Sequence, residues 1–503
     1  MRKLIAALAA IAVAATVTSC GGGRTKAARL LENYALVTIP APDLSGITDN
    51  GKEVLNLYRF AADQADAIYW QQNFGPKDAF DKLEDSAEKE FAYVNYGPWN
   101  RIDGEPFIYG YGKKPLGARF YPADMTDDEF RALKDPAKES PYTIIRRKED
   151  RSLEVVWYHE AFAENVRKIS DLLKAAADIT IKESVREYLL AKSEDVLTDN
   201  YMSSERAWEQ MTDSKMDLVI GPNEAIDDEL YGIKASYGAY VLLKNEERTN
   251  LIKDVCADIP GLDPEYASKV YSCDVIYYGG YPNAGYKNIG CNVSGNRAII
   301  FDNIIKEKFN RTVFPAGMLL FEGEDQAHLD ANAFWWEIVF REIAKSMVES
   351  NPGLSNEALT FEKAESNVLG TLLSAKMVEG NHIGALITKQ DVLATFIANT
   401  IRSTRFGFAD ATGRANLIVY NYLTEQGAIS RKVSGKYDID YGKTLAALES
   451  LSEAIKGIQA SGDYDAAVSF AGTYAFVPQA IQQDVVNLEL EKIPVDIRFE
   501  YEK

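Results

Sequence analysis

The chain has 503 residues, 46% hydrophobic and 11% aromatic, and a formal net charge of −20. That length exceeds a single common core, so two lobes are expected. The acidic balance argues against nucleic acid and anionic membrane surfaces as partners of the folded body.

Arg2 and Lys3 open the chain, and residues 4–17 form an apolar run too short for a stable transmembrane helix. Val17-Thr18-Ser19-Cys20 resembles a bacterial lipobox, which implies cleavage before Cys20 and lipid on its sulfur. The other reading is an ordinary secretory signal with an incidental cysteine. Residues 1–20 are thus expected as a lipoprotein signal peptide and 21–30, starting with Gly21-Gly22-Gly23, as a flexible tether. No later segment is long and apolar enough to span a bilayer, so the body should hang from a membrane by its N-terminus. The acidic residues that often follow the lipidated cysteine of surface-exported lipoproteins are missing. The expected location is therefore the periplasmic face of the outer membrane.

Residues 50–95 read as helical, with Val54, Leu57, Tyr58, Ala61, Ala65 and Ile68 on one face. Residues 96–123 are a loop rich in Gly, Pro and aromatics. Thr126 caps a new helix, with Glu129 as its capping-box partner. Residues 154–211 read as two or more amphipathic helices. Residues 217–221, 275–278 and 297–301 read as strands. From about 330 to 485 the pattern is mostly helical, and 495–501 alternates as a final strand. The class is α+β with helices dominant.

Cys256, Cys273 and Cys291 match no zinc spacing. One disulfide among them is compatible with an oxidising compartment, as are three buried or free thiols. The three histidines, His159, His328 and His382, lack a partner at metal-ligand spacing. His328 lies among Glu322, Glu324, Asp325 and Asp330, which reads better as an acidic surface loop than as a cation site.

Residues 333–340 form an apolar run that leads into Arg341-Glu342-Ile343-Ala344-Lys345. On a helix, positions 341 and 345 share one face one turn apart, where two imidazoles could hold a metal in a His-Glu-x-x-His motif. Arginine cannot deprotonate in a protein, and lysine could coordinate only as the neutral amine. On spacing alone, Glu337, Arg341 and Lys345 also suit a solvated helix face.

Several loops together resemble bacterial members of the dipeptidyl peptidase III family. They are Asn95-Tyr96-Gly97-Pro98-Trp99-Asn100-Arg101, Pro106-Phe107-Ile108, and Phe120-Tyr121-Pro122-Ala123-Asp124-Met125-Thr126. Ile220-Gly221-Pro222-Asn223-Glu224 and residues 228–235 follow, then Arg402-Ser403-Thr404-Arg405-Phe406-Gly407, Gly413-Arg414-Ala415-Asn416 and Asn421-Tyr422-Leu423. The resemblance covers about residues 50–425. It implies two lobes flanking a wide cleft, one mainly helical and the other mixed with a small β-barrel or sheet. The expected division is 31–240 with 487–503 for the mixed lobe and 241–486 for the helical lobe. It also implies a zinc enzyme that removes dipeptides from peptide N-termini, with a glutamate activating the zinc-bound water.

Carried over by position, the family's two zinc histidines fall on Arg341 and Lys345. An extra residue present in many members would move the second to Ser346. The Glu-Glu pair before Asn367-Val368-Leu369-Gly370 falls on Glu362 and Lys363, so the zinc glutamate becomes Lys363. A transition-state histidine becomes Thr412 and a substrate-side tyrosine becomes Ile226. Only the water-activating glutamate survives, as Glu342. No zinc is therefore expected, and Arg341, Lys345 and Lys363 are expected to pair with Glu342, Glu362 and Glu365. Glu224, Asn292, Arg405, Arg414 and Asn416 fall on or beside substrate-binding positions. The expected function is an inactive, peptide-binding lipoprotein with a peptide or small-molecule ligand. The alternative is a zinc-independent hydrolase using Glu342 as acid or base, with Lys345 or Lys363 as its partner.

Overall fold

The computed structural model describes residues 24–293, 297–384, 387–407 and 411–502. Cys20 and the expected signal and lipidation site lie outside them. The strands are β1 (Tyr34–Ile39), β2 (Thr143–Arg147), β3 (Leu153–Trp157), β4 (Met216–Glu224), β5 (Ser236–Asn245) and β6 (Tyr271–Gly280). They continue as β7 (Gly290–Val293), β8 (Arg297–Phe301), β9 (Ile429–Arg431), β10 (Tyr437–Ile439) and β11 (Asp496–Tyr501). The main sheet has five strands in the order β4-β5-β6-β8-β7. It is open, with β4 and β7 at its edges, so the mixed lobe holds a sheet and no closed barrel among the described residues.

Helix α1 (Asp49–Asn73) packs on β5 and β6 through Ala61, Ala62 and Ala65. A Cβ on Gly279 would sit 2.3 Å from the Ala62 carbonyl oxygen, so only glycine admits this approach. The long helix expected over 50–95 is interrupted after Asn73 and resumes at Ser86–Asn95. Phe74 leaves the helical region and Gly75 takes a positive φ of 150°. Residues 154–157, expected inside helices, instead belong to β3 and pair with β2 as an antiparallel hairpin. Four helices follow it before β4. The Thr126–Glu129 capping box forms as read.

β8 is the wall between two apolar cores. Ala298 and Ile300 pack with the helical body, and Ile299 and Phe301 with the mixed body. Strand side chains alternate between faces, so a strand buried on both sides serves two cores at once. The boundary expected at residue 240 therefore falls inside β5. Residues of β5, β6 and β8 up to Phe301 belong to the mixed body's sheet and core.

The helical body is built on α2 (Ala331–Ala344), α3 (Ala358–Glu379), α4 (Lys389–Ser403) and α5 (Ala411–Glu425). Asp330 caps α2 by accepting from the backbone N–H groups of Asn332 and Ala333. Residues 333–340 are all buried, so the apolar run is core on every side. Gly370 of α3 lies against α2, and a Cβ there would be 2.6 Å from Arg341 Cα. The glycine of the Val-Leu-Gly stretch is thus the point where the two helices cross.

β11 pairs in parallel with β1. Buried Asp496, at its start, accepts from Lys308 Nζ and the Lys287 backbone N–H, each at 2.9 Å. Arg402 donates to the Val495 carbonyl and Arg405 to the Ile493 carbonyl. The last strand is therefore fastened to both bodies. Cys256, Cys273 and Cys291 are buried free thiols, so no disulfide joins them. No helix among the described residues is long and apolar enough to cross a membrane.

Candidate functional site

Arg341 and Glu342 occupy the last turn of α2, and Lys345 is its C-cap. Cations there suit the negative end of the helix dipole. Arg341 Nη2 donates to Glu342 Oε1 at 2.9 Å, and Lys345 Nζ to Oε2 at 2.7 Å. The Glu342 side chain is 0% exposed, against 17% for Arg341 and 31% for Lys345. Burial opposes ionisation of Glu342, but Lys345 and then Arg341 outweigh it and hold the carboxyl below its ordinary value. Two of the three expected cations thus close on the surviving glutamate.

Lys363 does not join them. Neither Lys363 nor Glu362 makes an ion pair within 4.0 Å among the described residues. Glu365 is buried, and burial pushes its carboxyl up to about 7, with Lys456 opposing and Glu349 adding to the shift. The expected pairing of Lys363 with Glu362 or Glu365 does not form among the described residues: Glu365 turns into the core, while Lys363 and Glu362 stay half-buried on the flank of the helix.

β7 runs past the end of α2. At Gly290 a Cβ would lie 2.9 Å from Glu342 Cγ, so the glycine lets the strand pass the buried carboxylate. Asn292 Nδ2 donates to the Glu342 backbone carbonyl at 3.2 Å and to the Tyr266 hydroxyl at 3.0 Å. Asn292 Oδ1 is buried without a partner among the described residues. Burial raises the Cys291 thiol well above the ordinary range, and Glu342 and then Glu224 raise it further, while Lys345 opposes them. Glu224, at the end of β4, thus lies within electrostatic reach of the same strand. The fold brings Glu224, Asn292 and Glu342 around β7. Cys291, Gly290 and Tyr266 were not singled out as site residues, and no local pattern in the sequence marks them.

The remaining candidates are turned to other contacts. Arg405 is buried on the Ile493 carbonyl at 2.8 Å, and Arg414 pairs with Glu357 at 2.6 Å. Asn416 Nδ2 donates to the Thr412 carbonyl at 2.8 Å, one turn back on α5. Ile226 packs beside the aromatic cluster of Tyr69, Trp70 and Tyr96. Each histidine is held by its own aspartate: His159 by Asp199, His328 by Asp391 and His382 by Asp258. Of the acids near His328, Glu322 is spent on Lys432, Asp325 on Tyr441 and Asp330 on the α2 N-cap.

Among the described residues no three His, Cys, Asp or Glu side chains converge as a metal-holding group. The side chains at the expected ligand positions do not fit zinc. Arg341 has no lone pair to offer, and Lys345 spends its proton on Glu342.

No known family profile matches the chain. Nudix hydrolase 3 of Arabidopsis thaliana is 25% identical over 574 aligned positions, covering 93% of this chain and 72% of that protein. Among solved structures, dipeptidyl peptidase III of Corallococcus sp. strain EGB superposes with a TM-score of 0.84 at 23% identity. That match covers 94% of this chain and 96% of the other. Dipeptidyl peptidase III of Caldithrix abyssi superposes with a TM-score of 0.80 at 24% identity, covering 94% and 98%. The chain has the two-lobed dipeptidyl peptidase III fold, as the loop motifs imply.

Proposed function

We propose that this protein binds peptides in the cleft between its lobes and no longer hydrolyses them, and that a lipid on Cys20 holds it at the cell envelope. The observation that carries the reading is the state of Glu342. Each of its carboxylate oxygens accepts from a cation, Arg341 or Lys345, and the family resemblance puts those two residues on metal-ligand positions. A general base must be reachable by its proton donor and basic enough to take the proton, whereas Glu342 is fully buried and its two cations hold its carboxyl below the ordinary value. The same occupancy weighs against Glu342 as the acid or base of a zinc-independent hydrolase.

Support for peptide binding comes from β7. It is an edge of the sheet, so its outer main-chain groups have no strand partner among the described residues. An extended peptide can add to such an edge. Glu224 offers a carboxylate for the peptide's amino group. The lipid anchor rests on the lipobox-like Val17-Thr18-Ser19-Cys20.

Calorimetry with tetra-alanine tests the reading, with wild type and Glu224→Gln compared. Binding that weakens in the variant is expected, together with no turnover of dipeptidyl arylamides and substoichiometric zinc in purified protein. Chelator-resistant turnover that disappears in Glu342→Gln would overturn it in favour of altered hydrolytic chemistry. Loss of lipid labelling in Cys20→Ala tests the anchor.

A further inference from the structure

The charges around Glu342 do not cancel. Arg341 and Lys345 together face one carboxylate, and neither makes another ion pair among the described residues. The next carboxyl on the helix is Glu337, one turn below Arg341. It is buried, its Oε2 has no partner, and burial pushes it up to about 7, with Arg341 opposing and Glu342 adding to the shift. From other elements, Lys308 adds positive charge within electrostatic reach of Arg341 and is itself paired with Asp496. At and below neutral pH the end of α2 therefore carries a surplus cation. Lys345 is the more exposed of the pair, and two of its three ammonium protons have no acceptor among the described residues. Asn292, whose Nδ2 donates to the Glu342 carbonyl, has a buried Oδ1 that lacks a donor among the described residues.

We propose that Arg341 and Lys345, having replaced metal-ligand positions, form a subsite for a carboxylate, so that the protein selects peptides bearing an acidic side chain. This rests on the peptide-binding reading. A ligand carboxylate that reaches the exposed side of Lys345 would accept from the ammonium protons that Glu342 leaves free, and an acidic side chain of a peptide supplies such a carboxylate. Glu342 stays ionised and neutralises half of the pair. The other half would attract the ligand across a partly exposed surface, where a charge pair contributes up to about 1 kcal/mol, or about fivefold in affinity.

The test is calorimetry at low salt and pH 6.5. The probes are tetra-alanine peptides with Glu placed at the second, third or fourth position, their Gln counterparts, and glutarate alone. We expect one Glu peptide to bind about fivefold tighter than its Gln counterpart, and Lys345→Gln to bring the ratio of the two affinities to about one. Peptides that bind with no preference for Glu would overturn the carboxylate subsite and leave peptide binding intact. If no peptide binds but glutarate does, in a Lys345-dependent way, the subsite stands and the peptide reading falls. If neither binds, both fall.

Discussion

Lys345 and Glu342 lie 2.7 Å apart across the final turn of α2, and Arg341 takes the carboxylate's other oxygen at 2.9 Å. The helix thus carries its own counter-ions for a glutamate that is wholly buried. Removing one member of such a set leaves the rest unmatched, which is costlier than the set is stabilising.

Glu342→Gln is therefore expected to destabilise the fold by about 1–3 kcal/mol, less than for a fully buried pair because both cations are partly exposed. Urea unfolding of the variant against wild type measures it. An unchanged midpoint would mean that solvent already screens both cations.

Glu337 gives stability a pH dependence of defined sign. Its carboxyl titrates near 7 in the folded chain against 4.5 ordinarily, so between those values the folded state holds a proton that the unfolded chain has lost. Stability contributed by the protonated form is therefore lost as pH rises through about 7. Glu337→Gln should remove that share, leaving the variant about 2–3 kcal/mol less penalised than wild type on going from pH 5 to pH 8. Parallel stability curves for the two proteins would refute it. Glu365, also raised to about 7, adds a separate dependence of the same sign.

Asp496 accepts from Lys308 Nζ and the Lys287 backbone N–H, with Arg402 3.9 Å away. Asp496→Asn keeps the shape and removes the only carboxylate with which Lys308 is paired among the described residues. We expect a loss of about 3–5 kcal/mol, the usual cost of orphaning a buried charge. Chemical denaturation reads it directly. A loss under 1 kcal/mol would mean that desolvating these charges already cancels their attraction.

Burial pushes the Cys256 thiol up to about 12 and holds Cys273 and Cys291 well above the ordinary thiol range. The thiolate is the reactive form. Ellman's reagent at pH 8 should therefore leave these three residues unmodified in native protein and titrate all of them in guanidinium. Fast native reaction at any of the three would contradict the packing around it.

Much of the site was legible because it sits on long, strongly patterned segments. The apolar run at 333–340 announced α2, and the helix placed Arg341, Glu342 and Lys345 in one turn. The Thr126 cap and the strand at 297–301 were equally plain, since each has a local chemical signal. β5 was missed. Its residues 236–242 are buried on both faces, so it shows no alternation from which to read a strand. β7 has four residues, too few for any period, although it brings Asn292 to Glu342. Lys363 was misjudged because sequence adjacency to Glu362 says nothing about direction across a helix. Arg405 lay beyond local reading because its partner, Ile493, is 88 positions away.

The pairing of β1 with β11 also has a cost during synthesis. Thr38 and Glu500 hydrogen-bond across 462 positions, so β1 stays without its partner until β11 has been made. Until then Tyr34 to Ile39 is an open template that other nascent chains could join. Productive folding of this protein should thus depend on holdase chaperones that shield its early segments, more than its largely helical composition would suggest.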